Sequence, residues 1–375
     1  EMCIRDSGIP KEIKNNENRV AITPAGVKAF CQAGHQVIIQ KSAGLGSGIE
    51  DKEYNEAGAT IMETAQEVFK KADMIMKVKE PLASEYNLFK AGQILFTYFH
   101  FASSLELTEA MMKRKVICIT YETVQTEDGG LPLLAPMSEV AGKMAAQIAA
   151  YYLAAPYGGR GVLMGGVPGV SPAKVVVIGG GTVGTNAAKV AAGMGARVIL
   201  FDINIDRLKY LDDVLPKNIT LLMSNQHSIE EETKDADAVI GAVLIPGAKA
   251  PKLMTEEMVK KMKPNSVIVD VAIDQGGCIA TSKPTSHSDP VYKVHNVSHY
   301  CVTNMPGAFS RTSTFALTNA TLPYALEIAN KGYIKAIKEN KALAKGLNII
   351  NGKITYKPVA EVFNLKYYPV EEIVN

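Results

Sequence analysis

Short apolar runs alternate with amphipathic stretches along most of the chain. Gln36–Gln40 (QVIIQ), Met74–Val78 (MIMKV), Ile94–Tyr98 (ILFTY) and Val116–Tyr121 (VICITY) are brief and continuous, the pattern of buried strands. Between them Pro24–Ala33, Thr64–Ala72 and Leu105–Arg114 read as helices. Strands alternating with helices predict a parallel α/β domain. Ser138–Ala155 (SEVAGKMAAQIAAYYLAA) is Ala-rich, and with Ser138 as its N-cap it predicts a long connecting helix.

A second series then begins. Lys174–Ile178 (KVVVI) is a strand, Thr185–Met194 a helix, Arg197–Phe201 a strand and Asp206–Val214 a helix. Thr220–Met223, Ala238–Leu244, Ser266–Val271 and His299–Thr303 read as further strands, enough for one complete doubly wound unit. After Met305 the helical Ser313–Asn330, kinked at Pro323, leads to a helix near Ile334–Ala344. This tail is too short to fold alone, so it should pack back on the first domain. The expected fold is therefore α/β: two Rossmann-like doubly wound domains, residues 134–309 inserted into a discontinuous domain of residues 1–133 plus 310–375.

Composition narrows the class. With 375 residues, 47% of them hydrophobic and 21% charged, the chain can bury two cores and is not of disordered type. Forty Lys+Arg against 38 Asp+Glu leave +2, and no long like-charge run, which argues against nucleic-acid and polybasic membrane partners. The longest apolar stretches, Ile94–Ala102 and Ala238–Pro246, are too short to span a bilayer. Cysteines 3, 31, 118, 278 and 301 form no paired framework, which fits a reducing compartment, the cytoplasm. Glu1–Ser7 lacks both signal-peptide features and strand alternation, and reads as a non-native or frayed leader before structure begins near Gly8.

Gly179-Gly180-Gly181-Thr182-Val183-Gly184 satisfies G-x-G-x-x-G immediately after the KVVVI strand and before a helix, the context a dinucleotide site requires. Gly179 permits the tight turn, Gly181 the approach of a pyrophosphate, and Gly184 close helix–strand packing. Asp202 ends the next strand, where a carboxylate accepts from the adenosine ribose hydroxyls and repels a 2′-phosphate, favouring NAD over NADP. Arg207, five residues on, pulls the other way. The plainer alternative is a glycine turn with a surface Asp.

Other polar residues stand at strand ends. Arg19 precedes Val20-Ala21-Ile22-Thr23-Pro24, where it could fork onto a carboxylate or simply pair with Glu17 in solvent. Lys77 and Lys79 share one face of a strand end, as ligand groups or as exposed lysines. His100 ends an apolar strand and could serve as general acid and base, or as a structural histidine bonded to a carbonyl. Asp274 follows Ser266–Val271 at the carboxyl edge of the second sheet, as a crevice carboxylate or a helix cap, while Asp270 suits a buried structural role. His295 and His299, with Cys278, His287 and Cys301 nearby, could suggest a metal. In strand and loop their spacing does not bring both rings to one side, so no metal is expected.

Longer matches accompany these residues: Ile9-Pro10-Lys11-Glu12, Asn15–Pro24, Val78-Lys79-Glu80-Pro81, Pro136–Gly142, Gly165–Val170, Val269–Gly277 and Asn304-Met305-Pro306. From Gly8 onward the chain resembles the alanine dehydrogenase/pyridine nucleotide transhydrogenase family. Family members open with an apolar strand into Gly-Ile-Pro, and Cys3–Ser7 departs from that. The resemblance implies oxidative deamination of L-alanine to pyruvate and ammonium with NAD as hydride acceptor, in a cleft between domains of a homo-oligomer, often a homohexamer. It implies that Arg19 and Lys79 bind substrate, Arg19 on the carboxylate, and that His100 and Asp274 are the catalytic pair. It places Ser138, Gly179, Gly181, Thr182, Val183, Gly184, Asp202, Arg207, Ser224, Val243 and Leu244 along the NAD, with Val271, Ala272, Ile273, Asp274, Val302, Thr303, Asn304 and Met305. A transhydrogenase NAD-binding subunit is the nearest rival, but those subunits resemble Val-Asp-Leu-Ala-Ala where this chain has Asp274. A lysine- or saccharopine-type dehydrogenase shares only the start, and a silent NAD sensor on the same fold would not need all four site residues.

Overall fold

The computed structural model describes residues 6–243 and 250–373. The chain divides into two compact units, Glu1–Met137 with Phe309–Asn375, and Ser138–Ala308.

The first unit opens β1 (Asp6–Ile9), α1 (Pro24–Gln32), β2 (Gln36–Gln40), α2 (Asp51–Glu56), β3 (Thr60–Met62) and α3 (Ala65–Lys71). It continues β4 (Met74–Met76), β5 (Ile94–Thr97), α4 (Leu105–Arg114) and β6 (Ile117–Thr120). Thr23 and Ser104 cap α1 and α4 through their hydroxyls, satisfying first-turn N–H groups. The six strands are parallel in the order 3-2-1-4-5-6. β1 begins at Asp6, not at Gly8: Asp6 and Ser7 pair with Gln36 and Val37, and Ser7 also pairs with Met74. A strand at the centre of a sheet is held by ladders on both sides, and those override the weak β-propensity of Asp and Ser.

α5 (Ala135–Tyr152) starts three residues before Ser138, which is therefore inside the helix and not its cap. The second unit runs β7 (Lys174–Ile178), α6 (Thr182–Gly193), β8 (Arg197–Asp202), α7 (Ile205–Val214), β9 (Ile219–Met223) and α8 (Gln226–Thr233). It closes with β10 (Ala238–Gly241), α9 (Glu256–Lys261), β11 (Val267–Asp270), β12 (Val291–Val294) and β13 (Val297–Tyr300). The sheet order is 9-8-7-10-11-13-12, parallel except for β12, which pairs antiparallel with β13. Alternate residues of β7 serve opposite faces: Val175 and Val177 join one apolar cluster, Val176 and Ile178 another. Burial on both faces is why KVVVI is continuously apolar.

In the tail, α10 (Ser310–Lys331) runs through Pro323. The stretch expected as one helix over 334–344 is two, α11 (Tyr333–Glu339) and α12 (Lys341–Gly346). The Asn340 side chain accepts from Ala342 and Leu343 N–H at 3.0 and 3.1 Å, which stops one helix and caps the next. β14 (Leu347–Ile350) then adds antiparallel to β6 and β15 (Lys353–Ile354) pairs with it, extending the first sheet. Ile349 lies in the same apolar cluster as Ile75, Leu95 and Cys118.

Candidate active site

Each unit carries polar residues at the carboxyl ends of its parallel strands, where doubly wound sheets bind ligands. In the first unit Arg19 follows β1, Lys77 and Lys79 follow β4, and His100 follows β5. Arg19 is not solvated: 2% exposed, it donates from Nε and Nη2 to Glu17 Oε1 and Oε2 at 2.7 and 2.5 Å. Its Nη1 sits 3.1 Å from Met137 Sδ. Burial opposes the guanidinium charge, but the Glu17 carboxylate outweighs it and the net direction is upward, so Arg19 stays cationic.

The two lysines have different fates, and neither is an exposed strand-end residue. Lys77 is fully buried, its Nζ 3.1 Å from Glu12 Oε2 and 2.9 Å from Glu85 Oε1. Burial works against its charge and the two carboxylates outweigh that, raising its pKa. Glu12 Oε1 also accepts from the N–H groups of Val78 and Lys79 at 2.6 and 3.3 Å, fixing the strand end that presents Lys79. Burial raises the pKa of Glu12, with Lys77 opposing.

His100 adopts a left-handed conformation, φ 52° and ψ 42°. Its N–H donates to Glu122, its carbonyl accepts from Ser103 Oγ, and its ring stacks over Tyr98 at 6.0 Å. Loss of water and then Lys79, Lys14 and Arg19 push the imidazole down to about 3. The residue keeps an open side to solvent, so its desolvation is incomplete, but three neighbouring cations act in the same downward direction. A neutral imidazole at neutral pH is competent to take a proton.

The second unit holds the glycine turn. Gly179 has φ 106°, and a Cβ on Gly184 would lie 1.7 Å from the Gly179 carbonyl oxygen. α6 begins at Thr182, three residues earlier than its periodicity suggested, so Gly184 belongs to the first turn and closes directly on the strand end. Gly181 is the N-cap, no side chain caps the helix, and a Cβ there would meet nothing within 4 Å. Uncapped donors beside open space suit a pyrophosphate. Asp202 Oδ2 accepts from Gly180 N–H at 2.8 Å and Oδ1 from Asn204 N–H at 2.8 Å, leaving further lone pairs for ribose hydroxyls. Arg207 turns inward: Nε donates to Gly180 O at 2.8 Å, Nη2 to Thr185 Oγ1 at 3.0 Å, and the guanidinium lies over Tyr210. It braces the turn. These features fit a dinucleotide with unphosphorylated ribose.

Other expected residues gather around the turn. A Cβ on Gly179 would lie 3.1 Å from Val243 Cγ2, and Ser224 N–H donates to the Asp202 carbonyl. Ser138 lies one helical turn before Gly142, whose Cα faces the Val183 carbonyl so closely that a Cβ would lie 2.2 Å from it. Thr182 is exposed at the start of α6. Leu244 lies outside the described residues. Val183, Ala272, Ile273, Val302 and Met305 are buried, Val302 completely, so their side chains belong to the core.

Beyond β11 the chain forms a tight turn, Val271–Gln275, in place of further strand. Asp270 is the buried member: its carboxylate accepts from Ala272 N–H at 3.2 Å and Ile279 N–H at 3.2 Å, while burial raises its pKa. Asp274 is not the cap; it is exposed, and Asn304 N–H points to its Oδ1 at 3.4 Å. Thr303 N–H donates to the Thr285 carbonyl, holding this segment. His295 pairs with Glu256 and His299 with Thr281 and the Val297 carbonyl, and no metal-holding group occurs among the described residues.

Sequence reasoning passed over three carboxylates of the first unit: Glu12, Glu85 and Glu122. Only Glu12 had a signal, its place in the Ile9–Glu12 match.

Family models for the alanine dehydrogenase/PNT N-terminal and C-terminal domains match residues 8–141 and 145–357. The chain belongs to the alanine dehydrogenase/PNT family. Alanine dehydrogenase of Methanococcus maripaludis is 62% identical over 369 residues, covering 98% of this chain and 99% of that protein. The Staphylococcus saprophyticus enzyme of the same name is 58% identical, covering 97% and 98%. Among solved structures an L-alanine dehydrogenase superposes with a TM-score of 0.93 at 49% identity, covering 96% of this chain and 99% of that one. A transhydrogenase from Sinorhizobium meliloti reaches 0.79 at 26%, covering 94% and 99%. Family membership makes the protein an oxidoreductase, built on two Rossmann-like sheets.

Proposed function

We propose that the protein is an L-alanine dehydrogenase, interconverting L-alanine, NAD⁺ and water with pyruvate, ammonium, NADH and a proton. The observation that carries this reading is the set of side chains at the strand ends of the first unit, Arg19, Lys79 and His100. Bound NAD⁺ supplies the hydride acceptor. It would be held by the uncapped start of α6, by Gly179, Gly181 and Gly184, and by Asp202 on the adenosine ribose.

Arg19 binds the substrate carboxylate and aligns Cα, turning an encounter into an oriented complex. Its charge is secured by Glu17, so substrate binding requires no change of protonation. Lys79 stabilises negative charge developing on the carbinolamine or carbonyl oxygen. His100, neutral before turnover, takes the proton released as water adds to the iminium and returns it as ammonia leaves. Asp274 is the second proton-handling group. On family grounds we also infer a cytoplasmic homohexamer.

The test is to mix the purified protein with NAD⁺ and L-alanine at mildly alkaline pH and follow NADH absorbance, with NADP⁺, glycine and D-alanine as controls. Rapid NADH formation specific to L-alanine and NAD⁺ supports the reading. NADH binding without turnover would overturn it in favour of a transhydrogenase-like or sensor role.

A further inference from the structure

We propose that Glu122 is a positioning residue for His100, holding the catalytic ring in place through its backbone. This rests on the role given to His100 above. β5 and β6 are parallel neighbours with Thr97 opposite Thr120. β5 is followed by residues 98–100 before the short turn Phe101–Ser103, whereas the turn Tyr121–Thr123 follows β6 directly. That register carries Glu122 alongside Phe99 and His100. Its Oε1 accepts from the N–H of His100 at 2.6 Å and of Phe99 at 3.1 Å, and Oε2 is 3.4 Å from the Phe99 nitrogen.

The other edge of the His100 peptide is held as well. Its carbonyl accepts from Ser103 Oγ at 2.7 Å and Ser103 N–H at 2.9 Å. Between these anchors His100 takes its left-handed backbone, which is unfavourable for a residue with a Cβ and persists only where its surroundings enforce it. The conformation aims the ring, because χ1 starts from a Cα whose orientation φ and ψ set. A carboxylate receiving two backbone N–H groups is the stronger of the two anchors, being charge-assisted. The contacts of Glu122 with this segment run to the Phe99 and His100 N–H groups, so it acts on the ring by fixing where the ring starts, while its charge also faces Lys79.

The experiment compares wild type with Glu122→Gln, Glu122→Ala, His100→Ala and the Glu122→Ala/His100→Ala double variant as full-length proteins. Glu122→Ala should lower kcat about 100-fold, the usual consequence of a small misplacement of a reacting group. The Kd for NADH should move less than about threefold, since the glycine turn is untouched, and the KM for L-alanine should move less than kcat, because Lys79 loses only the field of the Glu122 carboxylate. Glu122→Gln keeps one acceptor oxygen and should recover part of the lost kcat. In the His100→Ala background, adding Glu122→Ala should cost less than about twofold, because the ring it serves is gone. Full additivity, or equal loss in kcat and affinity, would overturn the proposal.

Hydrogen exchange of the peptide spanning residues 98–104 gives a readout independent of turnover. Exchange at Phe99 and His100 should accelerate at least about tenfold in Glu122→Ala, with residues 94–97 still protected. Unchanged exchange there would refute the anchoring even if wild type proved inactive on alanine. Absence of wild-type turnover with the exchange result intact would instead count against the assigned reaction.

Discussion

Lys77→Met tests whether the buried ion triad holds the first unit together. The side chain is fully buried, and its Nζ lies 3.1 and 2.9 Å from one oxygen each of Glu12 and Glu85. At an effective dielectric of about 20, each pair at that separation is worth about 5 kcal/mol of gross attraction, and desolvation of the ions offsets much of it. Methionine fills a similar volume but leaves two carboxylates without their shared cation. Breaking a buried pair from one side costs about 3–5 kcal/mol, and that is the expected loss.

The loss must depend on pH. Burial already raises the folded pKa of Glu12 and Lys77 opposes it, so removing Lys77 raises that pKa further. A carboxyl whose folded pKa exceeds its unfolded value contributes most below the unfolded pKa, and that contribution is lost as pH rises through the folded pKa. The variant should therefore be penalised more at pH 8 than at pH 5.5. Urea unfolding followed by circular dichroism suits a chain without tryptophan. A triple variant, Glu12→Gln/Lys77→Met/Glu85→Gln, should recover part of the loss by removing the unpaired charges. A loss below about 1 kcal/mol that is flat with pH would refute the reasoning, because a buried pair could not then be carrying the charge balance.

Further outcomes are expected for three variants. His100→Ala should lower turnover at least about 100-fold while NADH affinity survives; near-normal kcat would remove His100 from proton transfer. Partial burial and three neighbouring cations hold the His100 imidazole below its ordinary range, so any inflection of kcat/KM that disappears in that variant should lie below 6.5. Asp202→Ala removes the acceptor of Gly180 N–H as well as the ribose partner, and should weaken NAD binding and narrow its preference over NADP; unchanged selectivity in steady-state kinetics would contradict the ribose assignment. Gly184→Ala drives a Cβ to 1.7 Å from the Gly179 carbonyl. Overpacking of that kind should cost about 1–3 kcal/mol or more and abolish NADH binding, and titration with NADH fluorescence checks it.

Much of the fold was legible because a parallel sheet buried on both faces leaves a strong local signature. KVVVI, QVIIQ and ILFT announce themselves as strands by composition alone, and Leu105–Arg114 by period and cap. The glycine turn was legible for a similar reason, since strand, turn and helix occur in immediate succession. Where local pattern misled, long-range pairing or one side chain intervened. Asp6 and Ser7 become strand because β2 and β4 flank β1, and Asn340 splits a stretch whose periodicity alone runs on.

The chemistry of the first unit divides differently. Arg19, His100 and the pair Lys77 and Lys79 could be named as candidates from the chain because strand ends and residue types are local properties, and the family resemblance singled out Lys79. Nothing local separates Lys77 from Lys79, two residues apart on the same strand end. Packing made one a buried structural cation between Glu12 and Glu85 and left the other beside the histidine. The same holds for Glu17, which reads as a surface partner and is buried against Arg19, and for Glu122, reached only through the register of β5 and β6. Hydrophobic period and turn chemistry operate over a few residues and can be read from order alone. The partner of a buried charge is chosen by which strands lie side by side, and that is settled only when the sheet has formed.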